Sequence, residues 1–141
     1  MLGDGKIERD SISIQYSKDR TKELQNWAKQ SLLNGSFSHK DFPVRVKMTG
    51  KSIKEFLNQA HKFKKEKNEL IKNIGAIFAG SDYKGYTEYH KDNPMIKYSH
   101  VFEIELNGEK SWIIVREDIT GNAVLYSISD SDKVLTGIKK K

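Results

Sequence analysis

The feature that most constrains this chain is an Asn-Gly step, Asn107-Gly108, set between two long β-rich runs, Met95 to Leu106 and Lys110 to Glu117. An Asn-Gly step in that setting marks a two-residue hairpin, because both residues accept the positive φ that matches the twist of the flanking strands. With these two residues as the loop, Leu106 faces Glu109 and the rest of the register follows. Glu105 then meets Lys110, Lys97 meets Asp118, Phe102 meets Ile113 and His100 meets Val115. Opposite charges and apolar side chains fall across from one another, as a stable ladder requires. A third β-rich run, Ala123 to Ser129, follows the turn residues Gly121-Asn122, so this half of the chain predicts an antiparallel meander. One face of the hairpin bears His100, Phe102, Ile104, Ile113 and Val115, the face to be covered by helices. The other bears Lys97, Ser99, Val101, Trp112, Ile114 and Arg116, and so sets a cation between apolar neighbours.

The preceding half reads as helical. Leu24, Trp27, Ala28, Ser31 and Leu32 share one face of a helix from about Asp19 to Leu33, which Ser17 can cap and Asn34-Gly35 can stop. A short strand, Val44 to Met48, follows Pro43. Ser52 and Glu55 have capping-box spacing before Ile53, Phe56, Leu57 and Ala60. The apolar stripe lapses from His61 to Glu69 and resumes with Leu70, Ile71, Ile74, Ile77 and Phe78. Ser52 to Phe78 is therefore either one helix with an exposed middle or two helices broken near His61. Residues 11–16 alternate weakly like a strand, and Ser81 to Pro94 is polar and tyrosine-rich like a loop. The fold class expected is α+β, with N-terminal helices packed on a C-terminal antiparallel meander. Residues 1–18 would be an extension, 19–138 one domain, and 139–141 a solvated basic tail.

Several functions are excluded by what is absent. There is no cysteine, which removes disulfides, zinc–thiolate sites and cysteine nucleophiles, and suits a reducing compartment. His39, His61, His90 and His100 lack metal-ligand spacing, and no Walker loop, dinucleotide fingerprint or nucleophile elbow is present. No metal and no cofactor are expected. Met1 to Asp10 carries acids and glycines rather than a basic-then-apolar leader. No apolar stretch approaches the roughly 20 residues of a membrane span, so no membrane partner is expected. The formal charge of +6 favours a polyanionic partner.

Three groups of residues have candidate chemistry. His61 follows Leu57 by one helical turn and His100 begins the core face of the meander, so two imidazoles could meet at the rim of the core. Such a pair suits proton transfer at a scissile phosphate; the alternative is that each is a structural histidine satisfied by a backbone group. Arg116 either pairs with nearby acids or clamps a phosphate beside Ser99 and Ser127. Lys51, Lys54, Lys62, Lys64, Lys65, Lys67 and Lys72, followed by Tyr83, Lys84, Tyr86, Tyr89, His90 and Lys91, either form a solvated face or a lysine-and-tyrosine track for a single strand.

Gly50 to Lys62, Lys67 to Leu70, Lys97 to Ile104, Trp112 to Glu117 and Leu125 to Ser129 together resemble one family. They are similar to the phage-associated nuclease domains grouped with barnase, EndoU, colicin ribonucleases and RelE. Such domains are found at the C-terminus of phage head-morphogenesis (minor head) proteins of Bacteroides-type bacteria. The resemblance implies metal-independent RNA cleavage in a bacterial cytoplasm, or a module of a phage head protein in the virion. Its partners would be RNA, phage head proteins or, for a toxin-like domain, an immunity protein. The leading expectation is a ribonuclease-like domain in which a 2′-hydroxyl attacks its own phosphodiester. His61 and His100 would exchange protons, Arg116 would clamp the phosphate, and Tyr126 or Ser127 would donate hydrogen bonds. Lys54, Lys64, Lys97, Tyr83 and Lys84 would bind the strand. The rivals are a non-catalytic phage-structural or interaction domain with a degenerate nuclease fold, and a single-stranded RNA-binding module.

Overall fold

The computed structural model describes residues 18–88 and 93–140. Helix α1 spans 18–31 and buries Leu24 and Ala28, with Trp27 and Leu32 packed beside them. Its proposed cap, Ser17, and the strand reading of 11–16 lie outside the described residues. Strands β1 (Phe37–His39) and β2 (Phe42–Lys47) form a short antiparallel hairpin that leads into helix α2 (Gly50–Asn58).

Helix α2 starts earlier than the Ser52–Glu55 spacing suggests. Its N-cap is Thr49, whose hydroxyl accepts from the Ser52 N–H at 3.0 Å, while the Ser52 hydroxyl accepts from the Thr49 N–H at 2.8 Å. This reciprocal box satisfies two orphan donors and adds most of a turn in front of Ile53, Phe56 and Leu57, which are all fully buried. The helix then breaks around His61, so the broken reading of 52–78 is the one realised. Helix α3 (Lys64–Glu69) passes through a 3₁₀ turn (Leu70–Asn73) into helix α4 (Ile74–Ala79). Two side chains of α3 hold the break. The Lys67 ammonium donates to the Phe56 carbonyl, and the Asn68 amide donates to the Leu57 carbonyl at 3.1 Å. Both carbonyls belong to the last turn of α2, where no intrahelical partner exists. Lys67 belongs to the lysine run that allowed either a solvated face or a strand-binding track, yet it is fully buried and serves neither.

The remaining strands are β3 (Asp82–Thr87), β4 (Ile96–Leu106), β5 (Glu109–Asp118) and β6 (Ala123–Ser129). All six form one sheet in the order β1-β2-β6-β5-β4-β3, antiparallel except for the β2–β6 pair. The chain thus enters at one edge, crosses through α2–α4 to the other, and meanders back to close beside β2. The segment read as a loop contains β3, an edge strand with a bulge between Tyr83 and Gly85. Its polar pattern hides it, because its pairing comes from β4 rather than from local periodicity. Tyr89, His90 and Lys91 lie outside the described residues.

The hairpin forms as expected. Asn107 and Gly108 have φ of 53° and 79°, and Leu106–Glu109, Glu105–Lys110, Phe102–Ile113 and His100–Val115 are all paired. Lys97 does not meet Asp118. A bulge between Ile96 and Tyr98 gives that place to Ile96 and leaves Lys97 as the extra residue. Phe102, Ile113, Val115, Leu125 and Ile128 are fully buried against α1, α2 and α4 through Leu24, Phe56, Leu57, Ile74 and Phe78.

Beyond β6 a 3₁₀ turn (Asp132–Leu135) packs on β5, and Lys139 then pairs with Tyr86 on β3, three strands away from β6 in the sheet. The helices occupy one face, so this segment crosses the other, where Val101, Trp112 and Ser127 are buried. Lys139 is therefore part of the sheet edge and not of a solvated tail, and its ammonium meets Glu88 at 2.9 Å. Gly85 makes the crossing possible: its φ is +131°, and a Cβ there would lie 2.2 Å from the Lys139 carbonyl oxygen. Gly85→Ala is expected to detach this C-terminal strap and cost about 2 kcal/mol or more, through strained φ and a backbone clash. Thermal melting checks it; an unchanged midpoint would show that the strap does not hold the sheet.

Candidate functional site: a cationic pocket on the open face

Arg116 stands on β5 opposite Ser99 of β4 and Val124 of β6, on the face away from the helices. A bulge where β5 meets β6, between Ile114 and Val115, makes Tyr126 the extra residue and sets Ser127 opposite Ile114. The bulge therefore answers which of Tyr126 and Ser127 reaches this face: both do. The Arg116 guanidinium lies 4.0 Å from the centre of the Tyr126 ring, and its Nε is buried without a hydrogen-bond partner. Stacking of this kind fixes the plane of the fork while leaving its edges to donate.

The guanidinium borders a pocket of about 170 Å³ whose wall includes Thr49, Lys51 and Ser52 at the start of α2, together with Asn93 and Asn122. The amino end of α2 adds favourable potential for an anion. Asp118 also lines the pocket. Its carboxylate is held by the Thr120 hydroxyl at 2.6 Å and by the backbone N–H groups of Thr120 and Asn122, which keep it below the usual carboxylate range. Those bonds engage Asp118 within its own turn rather than with Arg116.

His100 lies on the opposite face. Its Nε2 is 2.9 Å from a Glu117 carboxylate oxygen and its Nδ1 is 2.8 Å from the Tyr83 hydroxyl. Burial pushes the Tyr83 phenol up to about 12, so it stays protonated and donates to Nδ1, which leaves Nε2–H to donate to Glu117. Phe42, Tyr86 and Tyr98 pack around the imidazole, which is only 3% exposed. Both ring nitrogens are thus engaged by side chains, not by the backbone group that the structural alternative supposed. Glu117 was legible as a partner, since the register sets it diagonal to His100 on one face. Tyr83 was not, because β3 had no readable pattern.

His61 is also doubly bonded. Its Nδ1 accepts from the Phe63 N–H at 2.9 Å, so Nε2–H donates to the Ser111 hydroxyl at 3.0 Å. Burial is the main cause that lowers its pKa below the ordinary value, and the Lys67 and Lys62 charges add to it. Ser111 pairs with Ile104, four residues along β4 from His100 and hence roughly 13 Å away. The structure accordingly sets His61, His100 and Arg116 in three places, with Arg116 across the sheet from both imidazoles.

The other candidates are scattered. Lys54 is exposed on α2, and Lys64 is exposed at the start of α3, beside α1. Lys97 is exposed in the β4 bulge with its ammonium 5.2 Å from the centre of the Tyr98 ring. Lys84 stands 3.7 Å from Glu103 and 3.8 Å from Asp82. Glu103, on the open face, also accepts from the Trp112 indole at 3.1 Å. Among the described residues no three of His, Asp and Glu are grouped to hold a metal ion, and no helix is long and apolar enough to cross a membrane.

The family follows from the sequence of this same framework. Residues 15–126, which include α1 through the first half of β6, match the family model of large polyvalent protein-associated domain 3. The chain belongs to that family. No curated protein and no solved structure matches it. Membership as a large polyvalent protein-associated domain 3 agrees with the phage-associated part of the sequence resemblance.

Two predictions follow from the buried groups of this large polyvalent protein-associated domain 3. His100→Ala should cost about 2–4 kcal/mol, since it opens a cavity and strips a partner from both Tyr83 and Glu117; melting and urea titration measure this. Burial lowers the Lys67 ammonium to about 7, with Lys64 adding to the shift. Between pH 7 and the ordinary lysine value the unfolded chain holds a proton that the folded chain does not, so stability rises with pH across that window. Lys67→Met should remove this rise, whatever its effect on absolute stability. A wild-type slope that persists in the variant would reject it.

Proposed function

We propose that this domain is a phage-associated module that binds single-stranded RNA, with the phosphate backbone passing over the open face and Arg116 as its clamp. The observation that carries the reading is the Arg116 guanidinium: stacked on Tyr126, bordering a pocket, with a buried Nε that no protein acceptor uses. A phosphate supplies the acceptor geometry that such a fork matches. Lys51 on the pocket wall and the formal charge of +6 favour the same class of partner. RNA is preferred to DNA on the resemblance to ribonuclease-like domains.

Binding without cleavage is the version the geometry favours. Attack by a 2′-hydroxyl needs proton-transfer groups beside the clamped phosphate. Among the described residues no imidazole stands beside Arg116, and His61 and His100 each have both nitrogens engaged on the other face. The clamp needs no divalent ion, so binding should persist in EDTA.

Fluorescence anisotropy with a labelled single-stranded RNA in EDTA, over a salt series, tests this. Arg116→Gln should weaken binding about tenfold or more and reduce the salt slope by about 1, with little change in melting temperature. The RNA should remain intact on a gel. Cleavage in EDTA that Arg116→Gln abolishes would establish the ribonuclease reading instead, and absence of RNA binding at low salt would reject both.

A further inference from the structure

Arg116 has a neighbour of opposite charge that it does not use. Asp118 stands two residues further along β5, so both side chains leave the strand on the open face, from positions roughly 7 Å apart. Both line the pocket of about 170 Å³ beside the start of α2. The Asp118 carboxylate turns to its own loop instead of to the guanidinium. It accepts from the Thr120 hydroxyl at 2.6 Å, the Thr120 N–H at 2.9 Å and the Asn122 N–H at 3.0 Å. The Asn122 amide tightens the same turn by donating to the Thr120 hydroxyl at 3.1 Å.

All three bonds to the carboxylate end on one oxygen, Oδ1. Oδ2 receives no hydrogen bond from the described residues and, unlike the Arg116 Nε, is not buried. The pocket wall therefore carries an ionised oxygen whose direction is fixed by what holds the other. The Thr120 hydroxyl is the main cause that keeps this carboxyl below its usual range, so it stays charged and is a weak base. A carboxylate accepts and cannot donate. It repels a phosphate, which the fork attracts, and it takes a hydroxyl, which the fork does not need.

We propose that Asp118 reads the sugar of the bound strand: its Oδ2 accepts from the 2′-hydroxyl of the nucleotide whose 3′-phosphate Arg116 holds. The inference rests on Arg116 as a phosphate clamp and adds to it a basis for choosing RNA. In a ribonucleotide the 2′-hydroxyl is on the carbon next to the one that bears the 3′-phosphate, so a phosphate in the fork brings that hydroxyl to its neighbour. Arg116 alone cannot tell RNA from DNA, because their phosphates are alike, whereas the 2′-hydroxyl differs. As a weak base, Asp118 orients the hydroxyl without removing its proton.

Fluorescence anisotropy of the full chain in EDTA tests this, with labelled oligouridine and its 2′-fluoro and 2′-deoxy counterparts. The 2′-fluoro strand keeps the ribose pucker and loses only the donor. Both modified strands should bind about tenfold more weakly than RNA, the effect of one hydrogen bond to a charged acceptor. Their ratio to RNA should hold across a salt series that weakens all three strands together. Asp118→Asn keeps Oδ1 for its three donors and replaces Oδ2 by an amide nitrogen. In that variant the ratio should fall to about threefold or less, with melting temperature little changed. Equal binding of RNA and 2′-fluoro RNA, with both weakened by Arg116→Gln, would overturn the role of Asp118 and leave the clamp standing. A preference that survives Asp118→Asn unchanged would overturn it as well. Absence of binding by any strand at low salt would reject the clamp and this inference together.

Discussion

Everything in this domain depends on the parity imposed by the β4–β5 ladder. Asn107 and Gly108 both accept positive φ, so the loop is two residues long and Leu106 must face Glu109. From that pairing the period of two sends His100, Phe102, Ile113 and Val115 to one side and Ser99, Ile114 and Arg116 to the other. A slip of one residue would turn one strand over against the other, and either bury Arg116 of β5 under the helices or expose Phe102 of β4. The helical layer enforces the choice from above, because Phe56, Leu57, Ile74 and Phe78 need an apolar floor. Turn geometry and burial thus select the same register, and that agreement is what makes it unique.

Polar groups complete the core where the apolar pattern runs out. His39 donates to the Ser81 carbonyl, His61 bridges to Ser111, and His100 links Tyr83 to Glu117. Lys67 and Asn68 close the end of α2. Each of these side chains satisfies a group that another element has left without a partner, so they tie helices to strands and strands to one another. Histidines that sequence reasoning offers for proton transfer are, by their bonds, parts of this network. Arg116 is different: its fork is oriented by an aromatic ring and borders a pocket, with its buried Nε left without a protein acceptor.

The bulges explain why the two faces differ in character. In β4 the extra residue Lys97 ends the regular ladder, and in the β5–β6 pair the extra residue Tyr126 is turned beneath Arg116. The C-terminal strap runs from β6 to Tyr86 on β3, over the face on which Trp112 and Val101 are buried. The pocket beside the start of α2 is the joint product of a bulge and a cap, neither of which is a property of β5 alone.

Local chemistry in the sequence was enough to determine the hairpin, its core face, the position of Arg116 on the open face and the buried face of α1. Each of these follows from φ preferences and from periods of 2 or 3.6 that act over a few residues. The tertiary structure alone decided the rest. Strand β3 exists because β4 offers an unpaired edge, and no alternation in Asp82–Thr87 announces it. The parallel β2–β6 contact arises because the helices between them span the sheet. Whether α2 would use Thr49 or Ser52 as its cap, and whether 52–78 would break, depended on which turns could bury Ile53 and Phe56 while Lys67 reached the Phe56 carbonyl. Likewise, spacing could bring His61 and His100 to the same face but could not give the distance between them, because that distance is set by where α2 ends along β5, and the end of a helix is fixed by partners from outside it.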